Sequence, residues 1–309
     1  MTTVDLRVPP RPRAWPPALT PVRLDTLSEP TPFLVCDGAA IERRYEDLTD
    51  LLPGVALYYA LKANPMPAIV RTLARRGCGF EIASIYELGT VAAAGVDPAD
   101  VLFSNPVKPA AHITEAHRAG LSRFAFDSEG ELRKLAGAAP GSRVYVRLAV
   151  EDGRSLFPLS RKFGTAADEA VRLLGLAPTL GLVPYGITFH VGSQCTDPTA
   201  WERAIERSAA VMSALAVRTG IRLDMLDLGG GLPARYVTPV PALADIAAAI
   251  GRGLRRLPYR PSLIAAEPGR SLVAESGVMA ATVIGVEMRG DERWAYLDVG
   301  GYTGMMEAV

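Results

Sequence analysis

Cysteine is scarce in this sequence. Only Cys36, Cys78 and Cys195 occur in 309 residues, and no two share a paired spacing. That excludes a disulfide framework and a four-cysteine zinc site, and it fits a reducing compartment. Histidine is equally sparse. His112 and His117 lie five apart on a helical stretch without a matching carboxylate pattern, so no metal site is expected and both read as surface residues. An excess of charge is also missing: Lys+Arg and Asp+Glu are both 33. No global field therefore draws the chain to nucleic acid or to an anionic membrane. Long apolar runs are absent as well. The longest, around residues 277–286, falls far short of the ~20 residues that a spanning helix needs. No continuous apolar block follows the basic residues near the N-terminus, as a signal peptide would require. The expectation is a soluble cytoplasmic protein with neither nucleic acid nor membrane as a partner.

What is present is globular in character, with 49% apolar and 21% charged residues. A (β/α)₈ barrel takes roughly 250 residues, which would leave about 59 over. Residues 1–32 carry eight prolines, from Pro9 to Pro32, too many for a helix or a central strand. They read as an extended arm or a partly disordered tail. Beyond them, short apolar runs alternate with amphipathic segments. The runs are 57–60, 79–82, 101–104, 123–126, 144–148, 186–189, 225–228 and 263–266. Ser84-Ile85-Tyr86-Glu87 and Ser128-Glu129-Gly130-Glu131 are capping-box sequences placed where helices should begin. Asp197-Pro198 should start another helix near Trp201. Eight strand-like runs separated by helices favour a closed barrel over a doubly wound sheet. The latter's G-x-G-x-x-G after the first strand is absent. Cys36 and Cys78 read as core, and Cys195 lies near the barrel mouth.

In a barrel the chemistry belongs at the C-terminal strand ends. Those ends offer Lys62, Glu81 with Ser84, Asn105, Asp127, Arg147, His190 with Ser193, Gly229-Gly230-Gly231, and Glu267 with Arg270. The glycine run after strand seven is either a bare tight turn or a phosphate cradle, and its place in the barrel favours phosphate. Lys62 follows an apolar strand, so it should point into the mouth. Desolvation and neighbouring cations there would lower its pKa and make it a nucleophile for an aldehyde. An interior lysine with a phosphate cradle suggests pyridoxal phosphate, with Glu267 as partner for the ring nitrogen. His190 is either a satisfied core histidine or a ring that stacks on a planar cofactor.

The segments Tyr59-Ala60-Leu61-Lys62-Ala63-Asn64, Gly79-Phe80-Glu81-Ile82-Ala83-Ser84 and Phe103-Ser104-Asn105-Pro106-Val107-Lys108 carry a recognisable pattern. So do Phe126-Asp127-Ser128-Glu129, Phe189-His190-Val191-Gly192-Ser193-Gln194, Asp227-Leu228-Gly229-Gly230-Gly231 and Glu267-Pro268-Gly269-Arg270. In this order, over nearly the whole chain, they resemble the fold-type III pyridoxal-phosphate decarboxylases of ornithine, lysine, arginine and diaminopimelate. The Ser-Asn-Pro-Val-Lys and Phe-Asp-Ser-Glu segments look most like the ornithine/lysine branch.

The resemblance implies an alanine-racemase-like barrel and pyridoxal 5'-phosphate as cofactor. Lys62 would bind the cofactor aldehyde, His190 would stack on the ring, and both would be catalytic. Glu267 would pair with the ring nitrogen, and Glu81 would help position the lysine linkage. Arg147 would lie near the cofactor. Ser193, Gly229, Gly230, Gly231, Pro268, Gly269 and Arg270 would contribute to cofactor binding, chiefly at the phosphate. The implied reaction is decarboxylation of a basic amino acid, ornithine or lysine first, to its amine in polyamine biosynthesis. The implied assembly is a homodimer with active sites at the interface.

Two features depart from the family. Its C-terminal β-domain only begins at Ala295–Tyr302, so the later Cys-Asp motif and the later phosphate-contacting tyrosine have no counterpart. Glu307 stands where some relatives hold an acidic residue for the distal amine. The expected division is residues 1–37 as arm and β-domain strand, 38–275 as the cofactor-binding barrel, and 276–309 as the start of an incomplete β-domain. Two other functions stay open: an amino-acid racemase, which Glu267 argues against, and a truncated non-catalytic homologue that binds the cofactor or a partner protomer.

Overall fold

The computed structural model describes residues 28–151, 155–157, 162–236 and 238–305. Most of the Pro-rich arm, and Glu307, lie outside these described residues. Along the chain come β1 (Phe33–Cys36), α1 (Gly38–Leu51), β2 (Ala56–Ala60), α2 (Pro67–Arg75), β3 (Gly79–Ile82), α3 (Ile85–Ala93) and β4 (Leu102–Phe103). These are followed by α4 (Ala110–Arg118), β5 (Arg123–Phe126), α5 (Glu129–Ala138), β6 (Arg143–Arg147), β7 (Ser155–Phe157), α6 (Ala167–Leu176), β8 (Val183–Thr188) and β9 (Ser193–Cys195). The last elements are α7 (Thr199–Thr219), β10 (Met225–Asp227), α8 (Leu243–Leu254), β11 (Leu263–Ala266), α9 (Arg270–Val273), β12 (Gly277–Ala280), β13 (Val283–Arg289) and β14 (Glu292–Leu297).

Ile41–Ala274 form one compact unit, and the described parts of the two chain ends form a second. In the first, β10-β11-β2-β3-β4-β5-β6-β8 close into a parallel barrel. The interior is filled by Tyr58, Leu102, Ala125, Tyr145, Tyr185, Met225 and Ala265, drawn from seven strands. Tight closure leaves no room for a Cβ at two interior glycines. At Gly79 it would lie 2.6 Å from the Tyr58 ring, and at Gly186 2.7 Å from the Met225 carbonyl. Outside the barrel, α2 presents Ile69, Val70 and Leu73 inward and α7 presents Trp201, Ile205, Met212 and Leu215. These helical repeats are core, as their spacing implies.

Several boundaries differ from the sequence reading. The run 101–104 is a strand only at Leu102–Phe103, and 144–148 begins and ends one residue earlier. The run 186–189 is a strand from Val183 to Thr188, so His190 lies two residues beyond it rather than one. Helix α7 begins at Thr199, where the Asp197 carboxylate accepts from the Thr199 N–H at 2.9 Å. Ser84 and Glu87 form the full capping box of α3. Ser128 caps α5, but Glu131 does not reciprocate: its carboxylate turns to Lys108 and Lys134 instead. The small β7–β9 sheet had no signal in the sequence.

The second unit joins both chain ends. β1 pairs antiparallel with β12, and β13 with β14 through a turn in which Gly290 is left-handed. Asp298 accepts from the Thr31 hydroxyl at 2.6 Å and from the Thr282 N–H at 2.8 Å. Cys36, expected in a core, is only half-buried because β1 is an outer strand of a two-stranded sheet. Cys78 and Cys195 are buried. His112 and His117 are half-buried rather than surface residues. The first meets the Tyr86 ring edge-on at 5.7 Å, and the second lies 3.4 Å from the Ser142 hydroxyl. No helix among the described residues is long and apolar enough to cross a membrane.

Candidate active site

Side chains of a strand alternate between its two faces, so the residue two beyond a barrel-core position faces the same way, one layer higher. Leu102, Ala125, Tyr145, Met225 and Ala265 are core. Two residues beyond each come Ser104, Asp127, Arg147, Asp227 and Glu267. Together with Glu81 of β3 they make a polar layer above an apolar plug, at the C-terminal end of the barrel. A cavity of about 280 Å³ opens there, lined by Lys62, Glu81, Ala83, Ser104, Asn105, Pro106, Arg147, Phe163, Thr188, Phe189, His190 and Glu267.

Lys62 follows β2 in a short 3₁₀ turn, and its Nζ lies 2.6 Å from Glu81 Oε2. The lysine side chain is 51% exposed, because it stands in the open mouth, whereas Glu81 is 1% exposed. Burial pulls the Lys62 pKa down, but the Glu81 and Glu267 carboxyls outweigh it and the net shift is upward. This corrects the expectation of cationic neighbours that lower it. Arg147 is the cation nearby, and two carboxyls dominate. Burial pushes Glu81 up to about 6 against the pull of Lys62.

Glu267 is the floor of the site. Its neighbour Asp227 is wholly buried and hydrogen-bonded to it. Burial raises both pKa values, and for Glu267 the Asp227 carboxylate raises it further, to about 8. Asp227 accepts from the Thr188 hydroxyl at 2.6 Å and from the Gly229 N–H at 3.0 Å. Glu267 Oε1 accepts from the Ser104 hydroxyl, which in turn lies 2.9 Å from the Tyr145 hydroxyl. Burial holds the Arg147 pKa below its ordinary value, and the guanidinium stands over the Phe163 ring at 5.0 Å. Phe163 is placed there by the neighbouring Gly164, whose N–H donates to Asp127 at 2.9 Å. The His190 ring is fixed from behind, since its Nδ1 accepts from the Gly192 N–H at 3.0 Å.

Six of the residues expected at the mouth therefore line one cavity: Lys62, Glu81, Asn105, Arg147, His190 and Glu267. Ser193, Gly229, Gly230, Gly231, Pro268, Gly269 and Arg270 are not in its lining. The glycines have a packing reason of their own. A Cβ on Gly229 would lie 1.9 Å from the Phe189 carbonyl, and one on Gly231 2.5 Å from the Gly192 carbonyl. The Pro268 carbonyl accepts from the Ala60 N–H, tying β11 to β2. Arg270 contacts the Tyr236 hydroxyl at 3.1 Å.

Sequence reading missed Ser104, Tyr145, Thr188, Asp227 and Phe163 as contributors. Ser104 and Asp227 were legible by the two-residue rule. Phe163 was not, because it lies on a loop. Gln194 was also missed. Its φ of 56° is left-handed, and its amide clamps Ala234 with two hydrogen bonds of 2.9 and 2.6 Å. That clamp fixes the His190 loop against the glycine loop.

The fold and site thus define a class: a parallel barrel presenting an amine, a buried carboxyl pair and an imidazole around one open cavity. The donor set fits pyridoxal phosphate, with an amine for the aldehyde, a buried carboxyl for the ring nitrogen, and a fixed flat ring for the wall. Comparisons agree. Residues 38–274 match the family described as "Pyridoxal-dependent decarboxylase, pyridoxal binding domain". The lysine/ornithine decarboxylase of Selenomonas ruminantium is 37% identical over 88% of this chain and 69% of its own length. Antizyme inhibitor 2 of Xenopus laevis is 35% identical over 82% of this chain and 55% of its own. The crystal structure of SrLDC in complex with PLP and cadaverine superposes with a TM-score of 0.84 at 35% identity, over 91% of this chain and 72% of that one. The chain belongs to the pyridoxal-dependent decarboxylase family, and its cofactor is pyridoxal 5'-phosphate. It spans little more than half of the inhibitor's length and about two thirds of the bacterial enzyme's.

Proposed function

We propose that this chain is the cofactor-holding part of a decarboxylase that converts a basic amino acid, ornithine or lysine, to its amine and carbon dioxide. The observation that carries the reading is the Lys62–Glu81 pair facing buried Glu267 across one cavity. When bound, the cofactor supplies an electron sink for the pair of electrons left behind as the α-carboxylate departs. Lys62 would hold the cofactor aldehyde, and Glu81 keeps its Nζ in place and balances its positive charge. Glu267 holds a proton at the ring nitrogen, which deepens the sink. An arginine in that place would weaken the sink, and this separates the proposal from a racemase. His190 forms the wall against the ring, and Arg147 sets a positive charge beside it. Ser193, Gly229–Gly231 and the Pro268–Arg270 turn are the proposed phosphate-side residues. Glu307, proposed for the distal amine, lies outside the described residues. The proposed assembly is a homodimer in the cytoplasm. The proposed division follows the expected boundaries, with a barrel over 38–275 and β-domain segments at 1–37 and 276–309.

The test is direct. Protein mixed with pyridoxal phosphate and reduced with borohydride should gain a stable adduct on Lys62, located by peptide mass spectrometry. Carbon dioxide release is then measured from ornithine, lysine, arginine and diaminopimelate. An unmodified Lys62 sinks the cofactor role. The antizyme-inhibitor relative favours one second reading, a homologue that keeps the cofactor but does not turn over. An adduct without carbon dioxide from any of the four amino acids selects it.

A further inference from the structure

Deep in the barrel, three polar side chains from three strands meet in series. Tyr145 on β6 is fully buried among the apolar plug. Its hydroxyl lies 2.9 Å from Ser104 Oγ, just after β4, and Ser104 Oγ donates to Glu267 Oε1, just after β11. Filling the barrel needs neither hydroxyl, since phenylalanine and alanine would pack there without buried polar groups to satisfy. We propose that Ser104, backed by Tyr145, is a positioning residue for Glu267: the two hydroxyls in series hold Oε1 as an acceptor. Oε2 is then the oxygen that carries a proton to the basic ring nitrogen of the cofactor. This rests on the reading that the cavity takes pyridoxal phosphate.

The hydrogen-bond inventory gives the direction. A serine hydroxyl has a single proton. Ser104 gives its proton to Glu267, so Tyr145 must donate to Ser104. Burial and the nearby Glu267 push the Tyr145 pKa up, which keeps that proton in place. Two donors in series polarise each other and strengthen the second bond. On the other side, Asp227 has both oxygens engaged by donors, Thr188 and the Gly229 N–H. Asp227 is thus the better-stabilised anion of the pair, and the shared proton belongs to Glu267. With Oε1 occupied by Ser104, that proton is left to Oε2, and without cofactor it is shared with Asp227 through the hydrogen bond between the two carboxyls. The other charged groups facing Glu267 are Lys62 after β2, Glu81 on β3 and Arg147 on β6. In such a transfer one O–H bond at Oε2 would break and one N–H bond would form on the ring, which would leave a carboxylate facing a cationic ring with no other reactant needed.

The experiment uses pyridoxamine phosphate, which has the ring nitrogen and phosphate but no aldehyde for Lys62. Its affinity for the full chain is measured from pH 5 to pH 9 for wild type, Ser104→Ala, Ser104→Thr and Tyr145→Phe. Loss of a hydrogen bond to a charged group should weaken binding about tenfold in Ser104→Ala and move the pH midpoint. Tyr145→Phe should move it the same way by less, and Ser104→Thr should restore both. Wild-type affinity and pH profile in Ser104→Ala, with only the unfolding midpoint changed, would overturn the proposal while leaving the cofactor reading intact. If Ser104→Ala does not fold, an unshifted profile in Tyr145→Phe overturns it equally. A wild-type chain that binds neither pyridoxamine phosphate nor pyridoxal phosphate overturns the cofactor reading, and this proposal with it.

Discussion

A carboxyl group buried beside another carboxyl keeps its proton longer than one in water, because the charged form lacks both solvation and a free partner. Glu81, Asp227 and Glu267 all have raised pKa values in the folded chain. The native state therefore binds these protons more tightly than the unfolded chain does. By linkage, their contribution to stability falls as pH rises from the ordinary carboxyl value near 4.5 through about 6 for Glu81 and beyond. Glu267→Gln removes one such group while keeping an acceptor for Ser104. In the cofactor-free protein it should raise the thermal midpoint more at pH 8 than at pH 5. An equal change at both values would refute the assignment. Lys108 is the reverse case. It is wholly buried, bonded to the carbonyls of Asn105 at 2.9 Å and Ala125 at 2.6 Å, and paired with Glu131 at 3.0 Å. Burial lowers its pKa to about 8. Lys108→Met strips Glu131 of its buried partner and should cost about 3 kcal/mol in urea unfolding. Adding Glu131→Leu should recover part of that loss.

At the scale of elements, the site is set by where strands stop. On β4, β5, β6, β10 and β11 the core residue is followed two positions on by a polar one, so the change from apolar to polar marks the mouth. The loops above are held by backbone proximity. Gly229 has φ of 60°, and its Cβ direction runs into the Phe189 carbonyl 1.9 Å away. Gly229→Ala cannot be absorbed by a rotamer change, because the obstacle is main chain. It should destabilise the barrel by more than about 3 kcal/mol, or yield insoluble protein, by expression and thermal melt. The sequence reading took this glycine for its freedom to approach a phosphate. The structure gives it a packing duty first, and that duty was invisible until β8 and β10 lay side by side.

For the whole molecule, the barrel and the unit built from both chain ends are separate compact units. In the latter, Val283, Ile284 and Met288 of β13 are more than half exposed. The proposed homodimer predicts a species of twice the 32.9 kDa chain mass in sedimentation velocity. A single monomeric species at all concentrations would contradict it. The sequence by itself determined the barrel, its strand count and the ionisable residues that line the cavity. Period-two alternation and polar strand ends are local properties, and one chain pass reads them. It could not determine which groups touch. Ser104 and Glu267 are 163 positions apart, and Asp227 joins Glu267 only because β10 and β11 are neighbours in the closed sheet. Sequence reasoning expected cations around Lys62, whereas ring closure brought carboxyls. Protonation depends on distances and burial, and only the tertiary structure sets those.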